Sequence, residues 1–154
     1  MRMKEWAIWE LQIQQKAKNK DGHFLASLAK FLEIRKVLAF IREQDGFEIY
    51  RVDTEFIRNN LIADFEHAGH GFVHLLIPMN HIWIGAQHFN GCACKNVRED
   101  RRISEKNFES SVIHEITEFK LMEKGMPYGE AHQIALGAER KAGILKDPYI
   151  EEYD

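Results

Sequence analysis

The feature that most constrains this chain is the stretch 104–124 together with the turn that ends it. At roughly 100° per residue, Phe108, Val112, Ile116, Phe119 and Met122 fall on one arc, the core-facing stripe of an amphipathic helix. Gly125-Met126-Pro127 follows, a glycine suited to a helix C-terminus and then a proline suited to the first turn of another helix. The spacing predicts a second helix over about 127–142 and hence an antiparallel helical hairpin. Alanines at 131, 135, 138 and 142 would let the two backbones approach closely.

Polar residues on this hairpin are placed where polar residues are costly. Glu115 falls inside the apolar arc, and a carboxylate there costs several kcal/mol unless it is paired or has a chemical task. His114 and Glu118 sit beside it, one turn apart, as two metal ligands on one helix require. On the second helix Tyr128, His132, Ala135 and Glu139 lie within roughly 60° of one another. At about 1.5 Å per residue, Glu118 lies roughly 10 Å before the turn and His132 roughly 8 Å after it, with His114 and Glu139 near 16 and 18 Å. Antiparallel packing therefore brings all four to neighbouring levels.

Two imidazoles and a carboxylate on facing helices form a zinc donor set. The expectation is that His114, Glu118 and His132 hold Zn²⁺ and leave a fourth position for water, with Glu115 as general base. Glu139 becomes an orienting group or an alternative ligand, and Tyr128 an oxyanion donor. Seven of the eight histidines lie between positions 67 and 132, which is compatible with a metal. The structural alternative is an ordinary i,i+4 pair of His114 with Glu118 and a hydrogen-bonded interhelical His132.

Earlier in the chain, Trp6, Trp9, Ile13 and Ala17 predict a helix over about 4–18. A long amphipathic helix follows from about Phe24 through Leu28, Phe31, Leu32, Leu38 and Ile41 to Gln44, where Asp45-Gly46 stops it. Residues 47–52 alternate as a strand, and 55–58 read as a short strand or a helical turn, with a β-hairpin between the two. Glycines on either side of His70 suggest a turn presenting that ring. Residues 72–77 and 82–86 read as two strands joined through Pro78-Met79-Asn80-His81. Residues 87–103 carry the least regular pattern, and the tail after Ala142 reads as loosely held.

A chain of 154 residues suits one domain with a real core, and 45% hydrophobic with 29% charged residues is the balance of a soluble globular protein. The charged first twenty positions do not form a secretory signal, and no apolar run is long enough to span a bilayer, so the expected compartment is the cytoplasm. Cys92 and Cys94, one residue apart, are poorly placed for a mutual disulfide. With His88 they offer a nitrogen and two sulfurs within seven residues, an alternative zinc position that lacks the spacing of common zinc knuckles. His67, His70 and His74 could line one edge of a site; the plainer reading is a polar turn leading into a strand.

Residues 1–44 carry nine Lys/Arg against five Asp/Glu, and the remainder twelve against nineteen. The basic side chains Lys16, Lys18, Lys20, Arg35 and Lys36 would face nucleic acid if they shared a surface. Because acids alternate with them and no aromatic-basic stripe appears, a solvated face is the better reading and nucleic acid an unlikely partner.

Four runs resemble a small uncharacterised prokaryotic and phage family with zincin-like motifs. They are Asp64-Phe65-Glu66-His67-Ala68-Gly69-His70, Ile77-Pro78-Met79-Asn80-His81-Ile82-Trp83-Ile84, the His-Glu-x-x-Glu of 114–118, and the Tyr-x-x-Ala-His-x-x-Ala-x-x-x-Glu of 128–139. The resemblance covers about residues 50–142. It implies a sheet followed by an active-site helix, with His114, Glu115, Glu118 and His132 as site residues. The second run departs from the family pattern, which has Glu after the Asn and Asp after Ile-Trp-Ile; here those positions are His81 and Gly85. That departure raises the question of whether His81 joins the ligand set.

Taken together, these features predict a single α+β domain: an N-terminal helical pair, a small mostly antiparallel sheet, and a C-terminal helical hairpin carrying the site. The expected activity is metal-dependent hydrolysis of a peptide or a small-molecule substrate. A non-enzymatic metal-binding or interaction module is the competing class.

Overall fold

The computed structural model describes residues 38–153. Among them the chain runs β1 (Leu38–Gln44), β2 (Phe47–Val52), α1 (Thr54–Asn60), β3 (Ala68–His70), β4 (His81–Gly85), α2 (Glu105–Glu123) and α3 (Tyr128–Ala142). The expected helix over 4–18, most of the long helix after Phe24, and the basic residues up to Lys36 lie outside the described residues. No helix among the described residues is long and apolar enough to cross a membrane.

Four strands form one sheet in the order β1-β2-β4-β3. Two of its three pairings are antiparallel, β1 with β2 and β3 with β4, while β2 and β4 run parallel. The fold is therefore α+β with a C-terminal helical pair, as the sequence predicts, and the sheet is mostly antiparallel.

The end of the expected long helix is a correction: residues 38–44 are a strand. Asp45-Gly46, read as a helix stop, instead turns β1 into β2, with φ of 52° and 86°. Two consecutive positive φ values match the twist of a two-residue hairpin, and Asp-Gly is among the pairs that reach them most readily. The hairpin thus lies before residues 47–52 rather than after. Residues 54–60 take the helical alternative, capped by the Asp53 side chain, which accepts a hydrogen bond from Phe56 N at 3.1 Å.

A second correction concerns residues 72–77, which form turns and not a strand; the strand is the three residues 68–70. Both Val73 N and His74 N donate back to His70 O, at 3.1 and 2.9 Å, so the chain curls as soon as β3 ends. Gly71 packs where a β-carbon would collide with Met79, which fixes that curl beside the start of β4.

Pleating sorts the sheet's side chains onto two faces. Phe47 and Ile49 of β2 and Ile82 and Ile84 of β4 point to one side, where Phe108, Val112, Ile116 and Phe119 of α2 bury against them. Val52 and Trp83 point to the other, into a cluster with Ile57, Ile62, Phe65 and Ile77. The apolar stripe of α2 read from the sequence is the stripe that meets the sheet. Arg42 of β1 clamps the helix from outside through both terminal guanidinium nitrogens to Glu109, at 2.9 and 2.6 Å.

The other side of α2 is also buried, although it is polar: Asn107, Ser110, Ser111, His114 and Glu118 are enclosed by α3 and by the irregular segment after β4. Ala131 and Ala135 give α3 its close approach, whereas Ala142 is exposed and takes no part in it.

The tail is the third correction. Glu151 is fully buried, and Lys95 N donates to Tyr149 O while Glu151 N donates to Lys95 O, both at 2.9 Å. Its carboxylate accepts from Ser104 Oγ at 2.6 Å and from Ser104 N at 3.2 Å, at the N-terminus of α2 where the helix dipole favours an anion.

Candidate metal centre

α2 and α3 bring His114, Glu118 and His132 to one point. His114 Nε2 lies 2.9 Å and His132 Nδ1 3.1 Å from the same oxygen, Glu118 Oε2. A tetrahedral ion with bonds of about 2.0–2.1 Å needs its ligand atoms roughly 3.4 Å apart. The three ligand atoms lie within 4.8 Å of one another, a grouping that could hold a metal ion. Glu118 is almost wholly buried and surrounded by imidazoles, which suits a charge that a metal or protons must balance.

His114 is oriented from its far side. Its Nδ1 lies 2.8 Å from Glu139 Oε2, and Glu139 Oε1 accepts from Ser110 Oγ at 2.7 Å. Because both ring nitrogens face carboxylates, the ring carries a proton on each. Burial alone would lower its pKa, but the hydrogen bonds to Glu118 and Glu139 outweigh burial and raise it to about 10. The opposite holds for Glu118: burial pushes it up, and its bonds to His114, His132 and His70 carry it well below the ordinary carboxylate range. Glu139, one of the four expected ligands, faces Nδ1 of His114, the ring edge opposite the one that meets Glu118.

The sequence places His70 with His67 and His74 at one edge of a site but does not join it to Glu118. It is fully buried at the end of β3, paired in register with Ile82, and pleating turns both toward α2. Its Nε2 lies 2.8 Å from Glu118 Oε1 and 3.7 Å from Glu115 Oε2. The glycine-flanked histidine was the available signal. Ser110, one turn before His114 on the same face, was missed.

Glu115 is buried, and its Oε2 has no hydrogen-bond partner. Burial raises its pKa well above the ordinary value, and the charge of Glu118 raises it further. Tyr128 stacks on His132 with ring centroids 5.4 Å apart, and burial followed by the field of Glu118 pushes its hydroxyl up, so it stays protonated. A cleft of about 920 Å³ opens here, lined by Glu115, Glu118, Tyr128 and His132 on one side and by His67 and Cys94 on another.

The remaining expected residues separate. His74 is buried against Phe65, and burial, then His70, lowers its pKa to about 3; it is a core histidine. His81 stacks on Tyr50 and sits 3.4 Å from Glu48. It belongs to the β2–β4 surface and lies outside the three candidate ligand groups found among the described residues. Gly85 backs onto Thr54, whose hydroxyl occupies the space of a side chain there. Those three groups are His114-Glu118-His132, His70-Glu115-Glu118 and His67-His88-Cys94.

Comparison of the chain with protein families, with curated proteins and with solved structures gives no match.

Proposed function

We propose that the protein is a zinc-dependent hydrolase of the peptidase type, acting on a peptide or a small-molecule substrate. The observation that carries this reading is the convergence of His114 Nε2, Glu118 Oε2 and His132 Nδ1 in a cleft, beside a buried Glu115 carboxylate oxygen that accepts no hydrogen bond. Two nitrogens and one oxygen from protein is the donor set of a catalytic zinc site, which keeps its fourth position for water. When bound, the metal would supply a coordinated water acidified to a pKa of about 7.

The chain's own residues take the other roles. Glu139, held by Ser110, keeps the proton of His114 on Nδ1 and thereby leaves Nε2 free to ligate. Glu115 receives the proton: its buried Oε2, which accepts no hydrogen bond from the protein, is the acceptor beside the ligand set. Tyr128, kept protonated, donates its O–H to an oxygen developing negative charge in the cleft.

One contact favours a second reading, a non-enzymatic metal-binding module. His70 Nε2 is close enough to both Glu118 and Glu115 to complete a closed coordination shell, and closed shells are structural. Glu115→Gln separates the two. The hydrolase reading expects zinc retained, the fold intact and cleavage of a denatured-protein substrate abolished, because the amide keeps the volume and cannot take the proton. Loss of zinc in that variant would make Glu115 a ligand and overturn the catalytic assignment.

A further inference from the structure

The loop between β4 and α2 raises a separate question of stability. Across residues 86–102 the only buried side chain is His88, so this segment has no apolar anchor of its own. Long irregular segments in compact domains are uncommon and need something to hold them. What gathers at the centre of this one is a set of soft and borderline metal donors. His67, His88 and Cys94 place their ligand atoms within 4.8 Å of one another, and Cys92 Sγ lies 3.6 Å from His88 Nδ1. Zinc bonds of about 2.3 Å to sulfur and 2.05 Å to nitrogen at a tetrahedral angle put S and N roughly 3.6 Å apart.

Both histidines are turned toward that centre from behind. His67 Nε2 is 2.9 Å from Asn107 Oδ1, an acceptor, so Nε2 carries the proton and Nδ1 keeps its lone pair. The Nε2 of His88 is 2.7 Å from Glu151 Oε2, with the same consequence for its Nδ1. A carboxylate or carbonyl behind a ligating imidazole is the usual support of a metal site. The rings meet edge to face, centroids 5.2 Å apart, as two ligands on one tetrahedral ion can.

We infer that His67, His88, Cys92 and Cys94 form a second, structural zinc site, independent of the centre on Glu118. It would tie the approach to β3, through His67, to the loop that carries His88, Cys92 and Cys94, and, through Glu151, to the C-terminal tail that already hydrogen-bonds this loop at Lys95. His67, Cys92 and Cys94 also line the cleft, so the ion would fix one wall of it. Four protein ligands leave no position for water, so this site would not carry hydrolysis. A disulfide would serve less well, because Cys-x-Cys is poor geometry for one and both cysteines are free.

Cobalt distinguishes the two sites, because only thiolate ligands give intense sulfur-to-cobalt charge-transfer absorption in the near ultraviolet. Chelator-stripped, reduced wild-type protein titrated with Co²⁺ is expected to develop that band with an end point of one cobalt per chain, and His114→Ala is expected to retain it. His67→Ala should weaken or shift the band, and Cys92→Ser/Cys94→Ser should abolish it while leaving a thiolate-free cobalt spectrum from the Glu118 centre. Should those variants misfold, the wild type still decides: zinc-loaded protein must protect both thiols from a disulfide reagent, and chelation must expose both. Absence of the charge-transfer band in reduced wild type, or thiols that react equally fast with and without zinc, would overturn the inference. Neither result would bear on the Glu118 centre.

Discussion

His114 and Glu139 meet across the α2–α3 interface, Nδ1 to Oε2 at 2.8 Å, so in the proposed site Nε2 is the nitrogen of His114 left for a metal. It follows that Glu139 acts through His114. Glu139→Gln is expected to weaken zinc binding at this centre by about 10- to 100-fold, the usual loss when a ligand's supporting carboxylate is removed, without changing the stoichiometry at saturating zinc. Competition titration against a chromophoric chelator measures this. Loss of the binding step altogether would make Glu139 a ligand, and an unchanged affinity would remove it from the site.

The C-terminal tail is expected to be part of the folded unit. Glu151→Ala leaves Ser104 Oγ and His88 Nε2 without their buried acceptor, and stranding buried polar groups costs about 2 kcal/mol. Urea unfolding of zinc-saturated protein tests the value. A change below about 0.5 kcal/mol, the range of an ordinary surface substitution, would return the tail to the loosely held segment that its sequence suggests.

How much of this was legible beforehand differs between elements for physical reasons. α2 and α3 declare themselves because each buries a stripe at helical period, and Gly125 and Pro127 mark the turn between them. Residues 38–44 do not, because Leu38 and Ile41 satisfy helical spacing while the residue that decides, Gly46, ends a helix as readily as it turns a hairpin. His114, Glu115, Glu118 and His132 were visible because they share helices whose geometry is regular. His70 reaches the same carboxylate from a strand far away in sequence, and Glu151 reaches His88 from the tail; no local period encodes either meeting.

The metal-free protein should be most stable near pH 6.5. On the acid side His74 and His67, held by burial at about 3 and about 4 when folded, take up their protons near 6.5 when unfolded, so their contributions are full above 6.5 and are lost as pH falls toward 3 and 4. Glu151, held down to about 2 by His88 and Ser104 against the cost of burial, adds to this loss below 4.5. On the alkaline side His114, raised to about 10, contributes fully below 6.5 and progressively less as pH rises through 10. Thermal unfolding with chelator, from pH 4 to 10, should give this dome. His74→Gln should flatten the acid limb between 6.5 and 4; an acid limb that survives that substitution unchanged would contradict the assignment.

The central claim, that His114, Glu118 and His132 hold a metal, is tested most directly by counting zinc. Protein purified without chelators or a metal-affinity tag, from cells supplemented with zinc, is measured by elemental analysis as wild type, His114→Ala and His132→Ala, with circular dichroism confirming that each variant is folded. Removing one of three protein ligands should empty the site, so each variant is predicted to hold one zinc per chain fewer than wild type. Equal zinc in all three folded proteins, or none in wild type, would contradict the account.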